Sequence, residues 1–573
     1  MVFGATVVLL ALGLLAGPAS AKRNVYVTAN MDNDVAAFDV AANGALTALG
    51  SPVLTGGTGA GPVAITPDGR RLYVANQSSP SVTGFRIAAD GRLTAIGPPT
   101  PTGGNSAGAL AIAPGGRHLY VGHFNSSDIA TFAIAPNGTL SAVGAPVPSS
   151  GMSVSGIAVA PDGRHLYTTN FNSADVSAYT IGANGRPTAM GAPVGPGADP
   201  EGIAIRPDGR SLYIANSDGS SVGVFRITAG GALSALGAPA PAGSTPNHVG
   251  ITPDGNRLYA TNSNGASVSP FAIAANGALD PIGDEVPTGG NFPNDVVATP
   301  NGRFLYSSLF GPDGVAGFAI GGNGGLSALA GSPFAAGIDG PTGLAITPDQ
   351  GPTAEFTVAK AKKPKRVRFD GAGSTDPDGT VATYAWDFGD GETASGDDPT
   401  ARHRYAKRRV YDATLTVTDN EGCSTQRVFT GQTVSCNGSA VAGLRMEVDL
   451  DPPGLKVKAR KRQKIGKAIK AKATCDEACE VVGNGKLAIK RRGEGRKAAK
   501  SLPLQGLTTD LVANQQTKLK LRLSKKVRRK ASKALRNKKV RAKLRFKASD
   551  ELATSKPKKR GVRMKPKRKG GRR

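Results

Sequence analysis

The sequence predicts an all-β protein that opens with a ring of seven similar four-stranded sheets, a seven-bladed β-propeller. Two observations predict this ring. A strand containing tyrosine recurs along the first 350 residues, usually behind a Pro-Asp-Gly turn, at steps of 46 or 47 residues. Each repeat holds four short apolar runs, and none of them has the 3.6-residue period of a helix. The repeat tyrosines are Tyr26, Tyr73, Tyr120, Tyr167, Tyr213, Tyr259 and Tyr306.

One repeat shows how the strands are assigned. Residues 249–252 are small and apolar, as expected of an inner strand crowded near the axis, and Pro-Asp-Gly at 253–255 favours a turn. Residues 258–261 and 268–273 form the second and third strands. An Asn-Gly turn then leads to the outer strand at 279–282.

The two ends of the repeat region predict closure of the ring. The chain enters at a second strand, residues 25–27, and leaves at an inner strand, residues 343–347. Together these fragments complete one blade, so the propeller spans 22–350 and has no open sheet edge.

Charge divides the chain into two parts. Of the 70 Lys+Arg and 42 Asp+Glu, residues 441–573 hold 44 and 10, whereas the preceding residues hold 26 and 32. A near-neutral body is therefore followed by a strongly basic quarter, and the two parts need different partners.

Export is predicted from the first 21 residues. An apolar run at 7–16 precedes Gly-Pro and a small-residue cleavage motif at 19–21, which is typical of a signal peptide. Lys22 and Arg23 follow the apolar run instead of preceding it, so an uncleaved anchor remains an alternative. We predict a secreted, extracellular or cell-wall-associated protein.

The cysteine positions agree with an oxidising compartment. Cys423 and Cys436 lie in one segment, Cys475 and Cys479 lie in the next, and the propeller has none. Two local disulfides are the simplest pairing.

Leu-Tyr-Val-Ala-Asn at 72–76 and the run at 271–279 resemble the bacterial lactonase-type seven-bladed propellers, which are related to surface-layer propellers with Tyr-Val-Thr-Asn (YVTN) repeats. The resemblance implies the same fold. It leaves the activity open, because this repeat family includes both enzymes and binding proteins.

The residues that begin the inner strands are expected at one mouth of the channel, and their titratable groups fall in three successive blades. We predict Glu201, His248 and Asp295 as catalytic candidates, since two carboxylates and an imidazole can perform acid–base chemistry. His123, Asn247 and Asn294 are candidate ligand-binding residues. The alternative is structural, because polar groups at a channel mouth commonly tie neighbouring blades together.

The resemblance also implies how a lactonase would fill these positions, with His, Arg-His, Asp and Arg in successive blades. His248 and Asp295 match, whereas Glu201, Asn247 and Thr342 stand at the other three positions. The missing arginines would grip an anionic substrate. Their absence argues against a phosphorylated sugar lactone of the 6-phosphogluconolactonase type.

Residues 369–379 and the motif Trp-Asp-Phe-Gly-Asp-Gly at 386–391 resemble the immunoglobulin-like sandwich of polycystic-kidney-disease (PKD) domains, which we place at 352–440. Trp386, the single tryptophan, is predicted to anchor its core beside Leu415 and Val417. No cofactor is otherwise predicted, but three aspartates suit Ca²⁺. Asx turns explain the same residues without a metal. They are Asp376, Asp378 and Asp390.

The basic part is predicted to form a small β-rich domain at 441–550. Apolar and cationic residues alternate at 455–458, 519–523 and 540–546, as in half-buried strands. Ser524 is expected to cap a short helix, and residues 551–573 are expected to be disordered. The helix would bury Val527, Ala531, Ala534 and Leu535.

These features favour a non-enzymatic, monomeric envelope protein. Its propeller and PKD modules would bind a carbohydrate or protein ligand, and its basic domain would adhere to an anionic cell-wall polymer or envelope surface. A lactone hydrolase is the alternative, and nucleic-acid binding by the basic tail is a further one. Phe546 is the single aromatic residue of that part, which disfavours base stacking.

Overall fold

The computed structural model describes residues 23–195, 197–311, 313–360, 366–451, 453–476, 478–491, 500–536, 538–549, 555 and 557–565. The predicted signal peptide at 1–21 lies outside them. Within these ranges no helix has the length and apolar character needed to cross a bilayer. Contacts divide the chain into two compact units. One comprises the propeller with residues 374–383 and 416–443, and the other comprises 355–373, 384–415 and the residues from 444 onwards.

Seven antiparallel sheets form the blades of the first unit, and each runs from an inner strand outwards. Blade one contains β1 (Arg23–Ala29), β2 (Asp34–Val40), β3 (Leu46–Ala48) and β4 (Val53–Leu54). Blade two contains β5 (Ala60–Ile65), β6 (Arg71–Asn76), β7 (Ser81–Ile87), β8 (Leu93–Ala95) and β9 (Thr100–Pro101). Blade three contains β10 (Ala107–Ile112), β11 (His118–His123), β12 (Asp128–Ile134), β13 (Leu140–Ala142) and β14 (Val147–Pro148).

The remaining blades repeat this order. Blade four contains β15 (Val154–Val159), β16 (His165–Asn170), β17 (Asp175–Ile181) and β18 (Pro187–Ala189). Blade five contains β19 (Pro200–Ile205), β20 (Ser211–Asn216), β21 (Ser221–Ile227), β22 (Leu233–Ala235) and β23 (Ala240–Pro241). Blade six contains β24 (Pro246–Ile251), β25 (Arg257–Asn262), β26 (Ser267–Ile273), β27 (Leu279–Pro281) and β28 (Val286–Pro287). Blade seven contains β29 (Asn291–Ala298), β30 (Phe304–Gly311), β31 (Gly314–Ile320), β32 (Leu326–Ala328) and β33 (Phe334–Ala335), and β34 (Pro341–Ile346) follows.

The predicted closure is confirmed, because β34 pairs with β1 and supplies the inner strand of blade one. The four predicted strands per blade are also present. Most blades add a very short fifth strand, such as β28 pairing with β26, which sequence reasoning missed because it is only two residues long.

The repeat tyrosines explain the regular period. Each is fully buried, and its hydroxyl donates a hydrogen bond to a carbonyl of the outer turn in the following blade. Tyr213, for example, reaches the Gly277 carbonyl at 2.9 Å, and Tyr306 reaches Gly44 at 2.7 Å to close the ring. The acceptor glycine has a positive φ in these turns, +94° at Gly277, which disfavours other residues. The repeat therefore encodes contacts between blades.

Residues 351–450 supply the further strands of the PKD-type segment. A three-stranded sheet has the order β35-β36-β39, a four-stranded sheet has the order β38-β37-β40-β43, and β41 pairs with β42. The bounds are β35 (Thr357–Lys360), β36 (Arg366–Asp370), β37 (Val381–Asp387), β38 (Thr393–Gly396), β39 (Thr400–Arg404), β40 (Val410–Asp419), β41 (Val428–Phe429), β42 (Val434–Cys436), a 3₁₀ turn (Ala440–Ala442) and β43 (Gly443–Asp449).

Trp386 is the predicted core anchor, and the structure buries it to 3% exposure. Its ring packs edge-on against Phe356 at 5.3 Å between centroids and lies 5.6 Å from Phe369. Leu415 and Val417 are also fully buried. This aromatic core belongs to the second unit, since residues 355–373 and 384–415 lie there.

The basic part of the second unit builds two sheets around one apolar core. Their strand orders are β44-β46-β50 and β45-β52-β51-β47-β48, with β49 also pairing β47. The bounds are β44 (Lys456–Lys458), β45 (Arg462–Lys464), β46 (Ala468–Thr474), β47 (Cys479–Arg491), β48 (Lys500–Pro503), β49 (Leu507–Leu511), β50 (Thr517–Arg522), α1 (Lys525–Ala534), β51 (Lys538–Ser549) and β52 (Lys558–Lys565).

The structure bears on the predicted helix cap, the two predicted disulfides and the predicted disorder at the end of the chain. The Ser524 hydroxyl caps α1 by accepting the Val527 amide, and Val527 and Ala531 are buried. Both predicted disulfides form, Cys423–Cys436 and Cys475–Cys479. The prediction that residues 551–573 are disordered is wrong for residues 558–565. Here β52 pairs with β51, and Val562 and Met564 join the core. Residues 551–554 and 566–573 lie outside the described ranges.

Candidate functional site

The mouth of the propeller channel brings two of the predicted catalytic residues together. His248 on β24 and Asp295 on β29 begin neighbouring inner strands, and His248 Nδ1 lies 3.1 Å from Asp295 Oδ1. Their side chains are 22% and 18% exposed, so a small molecule in the channel can reach them. The carboxylate oxygen is thus within ion-pair distance of the imidazole, whose two ring nitrogens differ in donor and acceptor role according to the tautomer.

Backbone contacts orient this pair. The Leu344 amide donates to Asp295 Oδ2 at 2.9 Å, and the Val296 amide donates to Oδ1 at 2.8 Å. The His248 amide donates to the Thr261 hydroxyl at 3.0 Å. The carboxylate thus accepts two backbone amides, one from its own strand β29 and one from β34, and the histidine backbone is fixed separately, which is the support that an acid–base pair requires.

Glu201 begins the inner strand of the blade before His248. Burial, together with the nearby Asp199 charge, raises the pKa of its carboxyl to about 7. The next residue, Gly202, packs so closely on His248 that an added Cβ would lie 2.7 Å from the His248 Cα. Glu201 can therefore exchange a proton near neutral pH one blade away from the histidine.

Asn247 and Asn294 pair with each other across a blade boundary, with Nδ2 of Asn247 3.2 Å from Oδ1 of Asn294. Nearby hydroxyls also tie blades. Thr169 donates to the Glu201 carbonyl at 2.6 Å, and Thr261 donates to the Asn294 carbonyl at 2.8 Å. The structural alternative thus describes part of the mouth, and the ligand-binding role of the asparagines stays a prediction.

His123 is not brought to this site. Its ring is fully buried inside blade three, and Nδ1 lies 2.5 Å from Asp128 Oδ1 on the third strand of that blade. Asn76, in the same repeat position, makes the equivalent tie to Ser81 at 3.0 Å. Sequence reasoning compared repeat positions correctly, but the side chain at this position points into its own blade.

A second feature of the channel escaped sequence reasoning. The hairpin of β41 and β42 lies in the channel, and its tip shares a polar cavity of about 30 Å³ with Asp295 and Leu344. In the sequence, the alternating alanines of β10 indicate that another element can pack beside this inner strand, because their small side chains leave room there. The tip of the hairpin formed by β41 and β42 consists of Thr430, Gly431, Gln432 and Thr433.

A buried carboxylate cluster forms elsewhere in the first unit. The Arg23 guanidinium, 4% exposed, pairs with Asp349, Asp378 and Glu421. Burial raises the pKa of Asp349 to about 8, although Arg23 opposes the shift. Burial also raises the pKa of Asp376 to about 7 and that of Asp419 to about 6.

This carboxylate cluster, defined as Asp349, Asp376, Asp378, Asp419 and Glu421, fits a hard cation. Four of its members have buried carboxylate oxygens without a hydrogen-bond partner, and Asp376 has two. Such oxygens are the ligands that Ca²⁺ prefers. Cys423 lies beside Asp349 and Asp419, but its sulfur is in a disulfide and cannot ligate a metal. Of the three predicted aspartates, Asp390 is elsewhere, in the second unit, paired with His403 at 2.8 Å.

Two family models match the sequence. The model of the seven-bladed β-propeller lactonases matches overlapping segments that together span residues 18–339, and that of the PKD domain matches residues 349–434. Short stretches are similar to collagenase sequences. One is 47% identical over 58 residues to collagenase ColA of Clostridium perfringens and covers 10% of this chain. Another is 38% identical over 80 residues to a microbial collagenase of Vibrio alginolyticus and covers 14%. The chain spans only 5% and 10% of the length of these curated relatives.

Solved structures match the propeller. The periplasmic gluconolactonase of Pseudomonas aeruginosa is 21% identical, with a TM-score of 0.50, covering 57% of this chain and 99% of that one. A Bacteroides uniformis protein assigned as a 6-phosphogluconolactonase is 19% identical, with a TM-score of 0.52, covering 57% and 100%. At these identities the likeness shows the fold alone. Because the lactonase model spans more than half of the sequence, the chain belongs to the family of seven-bladed β-propeller lactonases.

Proposed function

We propose that the chain is an exported envelope protein that adheres to an anionic polymer through its C-terminal sheets. The observation that carries this proposal is the set of cation rows on those sheets. Lys458, Lys472 and Lys518 lie directly opposite one another on three adjacent strands, all exposed. Arg462, Arg563 and Arg541 form a second row across the other sheet.

Directly opposite like charges destabilise a sheet, so these rows need a compensating partner. Among the described residues beyond Arg445, no lysine or arginine forms an ion pair. Cations spaced about 5 Å across strands and about 7 Å along them suit a flexible chain of phosphodiesters. The two disulfides and the PKD-type segment support a location outside the cell.

Binding to poly(glycerol phosphate) tests the adhesion. A triple variant of the first row, Lys458→Gln/Lys472→Gln/Lys518→Gln, should weaken binding by about 10–100-fold, since each lysine contributes about 1 kcal/mol near an anionic surface. The matched control neutralises three cations of α1, Lys525→Gln/Lys526→Gln/Lys533→Gln, and should change affinity by less than about threefold. Affinity should also fall steeply with salt.

Equal losses in the two triple variants would contradict a role for the sheet rows. Tighter binding to double-stranded DNA than to poly(glycerol phosphate) at matched salt would replace the envelope polymer with a nucleic acid as the partner.

The mouth geometry favours a second candidate, hydrolysis of an uncharged lactone. His248, paired with Asp295, would take a proton from a water whose oxygen attacks the lactone carbonyl carbon. The ring C–O bond would then break, and Glu201 in its protonated form would give a proton to the leaving oxygen. The product is a hydroxy acid. Asn247 and Thr342 offer no guanidinium to an anionic substrate, which favours a neutral one.

Glucono-1,5-lactone, the substrate class named by one structural neighbour, is the probe for this candidate. His248→Ala should lower kcat by about 100-fold or more, as expected of a general base. His118→Ala, which removes a histidine on β11 of blade three, is the matched control and should leave turnover unchanged. Turnover that survives His248→Ala intact would contradict the assignment.

A further inference from the structure

The hairpin of β41 and β42 is bonded to the wall of the propeller channel. The Val159 amide donates to the Gly431 carbonyl at 2.9 Å, and the Ile205 amide donates to the Thr430 carbonyl at 2.8 Å. The Gln432 side-chain amide also donates to the Ile157 carbonyl at 3.3 Å. These groups lie on inner strands β15 and β19, whose channel-facing edges would otherwise lack partners.

Apolar packing fixes the hairpin in the same place. Phe429 and Val434 are 2% and 4% exposed and share one core with the alternating alanines Ala109, Ala111 and Ala113. At the tip, Gly431 has a φ of +100°, and an added Cβ would lie 3.1 Å from the Ala158 Cβ. The tip conformation therefore requires glycine.

The base of the hairpin is anchored as well. Cys436 forms the disulfide with Cys423, the Asp349 amide donates to the Ser435 carbonyl at 2.8 Å, and the Asn437 amide donates to the Asp349 carbonyl at 2.8 Å. Backbone bonds, a packed core and a covalent bond thus hold one element in one position. This degree of fixation suits a part of a site better than a mobile loop.

The cavity above the tip connects the hairpin with the mouth. Asp295 and Val63 line it near the starts of the inner strands, and Thr430, Gln432 and Thr433 line it from the hairpin. Its volume of about 30 Å³ has room for roughly two water molecules. Its polar groups are hydroxyls, an amide and one carboxylate, which suit the hydroxyl groups of a small neutral molecule.

We infer that the hairpin tip is the floor of the mouth site and that Gln432 is a specificity-determining residue of that floor. The site is then closed below the mouth. A small polyhydroxylated molecule such as a sugar lactone would bind in the mouth beside Asp295, above the hairpin, and the cavity of about 30 Å³ would hold only the water or the single hydroxyl group between that molecule and the floor. A polymer cannot thread the channel. This inference rests on the mouth site proposed above, and it adds a segment outside the propeller repeats to that site.

Closure of the channel is tested without any ligand. Ala204 lines the cavity, and in Ala204→Cys the full chain carries one free thiol, because its four native cysteines form disulfides. A thiosulfonate reagent larger than the cavity should react slowly with this thiol. Replacing residues 430–433 by two glycines should raise the rate by about tenfold or more, as expected when a protected site opens. Gln432→Ala, which keeps both backbone bonds, should raise it less. Equal rates of thiol reaction in Ala204→Cys alone, with the tip replacement and with Gln432→Ala would contradict the proposal that the hairpin closes the channel.

The role of Gln432 is tested with glucono-1,5-lactone and the full chain. Gln432→Ala should raise KM by about 5–10-fold with little change in kcat, the signature of a lost binding contact. Gln426→Ala, an exposed position in the same segment, is the matched control and should behave as wild type. A change in kcat alone would overturn the assignment of Gln432. If the wild-type chain has no turnover, the hydrolase candidate fails, and the thiol rates still decide whether the floor exists.

Discussion

Replacing Arg23 by alanine is expected to lower the free energy of unfolding by about 3–5 kcal/mol, the usual cost of removing one partner from a buried ion pair. Arg23 is 4% exposed and contacts three carboxylates, of which Asp349 is 1% exposed. Its removal leaves the carboxylate cluster without a neutralising cation. Chemical denaturation of the purified chain measures the change.

The pH dependence of this cost identifies its cause. Carboxyls with raised pKa values bind protons in the folded state at a pH where the unfolded chain does not, so at low pH Asp349, Asp376 and Asp419 need less compensation by Arg23. The loss from Arg23→Ala should be largest near pH 8 and smallest near pH 5, given pKa values of about 8, 7 and 6 for Asp349, Asp376 and Asp419. A loss that is independent of pH would show that packing, and not charge, is responsible.

Arg86→Ala is the matched control, because Arg86 is an exposed arginine on a strand of the same unit. It should change stability by less than about 0.5 kcal/mol, as surface substitutions usually do. Arg23→Lys should fall between the two, since an ammonium group keeps the charge but cannot form the forked contacts of a guanidinium. A Lys variant as unstable as the Ala variant would point to geometry as the dominant factor.

The propeller ring was predictable because its determinants are local and repeated. The tyrosine of each repeat donates a hydrogen bond to a glycine carbonyl of the next blade, and the bond from Tyr213 to Gly277 is one of seven equivalent bonds. Closure followed from the two incomplete end repeats, which can satisfy their strand edges only by pairing with each other.

The candidate site was predictable only in part, because its geometry depends on contacts between distant residues. His248 and Asp295 meet since neighbouring inner strands start at the same level of the channel. The sequence predicts His123 as a ligand-binding residue at the channel mouth, yet its ring turns inwards to Asp128. The side chain at this strand end faces its own blade because a polar partner stands five residues later, Asp128 for His123 and Ser81 for Asn76, and a comparison of single repeat positions does not include that partner.

The position of the hairpin could not be predicted from the sequence for a related reason, and of the carboxylate cluster only Asp376 and Asp378 were predicted as cation ligands. Gln432 meets Ile157 across 275 positions, and Arg23 meets Glu421 across 398. Residues 416–443 were assigned to the sandwich by their resemblance, whereas the structure groups them with the propeller. Neither strand periodicity nor turn chemistry predicts contacts between residues so far apart in the sequence.

Ca²⁺ is expected to stabilise the chain most strongly at high pH, and we propose the carboxylate cluster as its site. Without a metal, stability should fall as pH rises from about 4 to about 8, because the folded state must then release protons from Asp349, Asp376 and Asp419. Ca²⁺ would neutralise the carboxylates formed. At a concentration 100 times its Kd it would restore about 2.7 kcal/mol.

Thermal unfolding in a chelator and in Ca²⁺, at about pH 8 and about pH 5, measures this effect. Tm should rise with Ca²⁺ at the higher pH and change little at the lower one, where protons compete for the same oxygens. Asp376→Asn should remove most of the rise, since both carboxylate oxygens of Asp376 lack hydrogen-bond partners. Asp390→Asn is the matched control, because this aspartate pairs with His403 in the second unit and should leave the Ca²⁺ response intact. If Ca²⁺ leaves Tm unchanged at the higher pH, the cluster does not bind Ca²⁺ and the Arg23 guanidinium is its cation. The loss of stability in Arg23→Ala then measures how much this cation contributes to the free energy of unfolding.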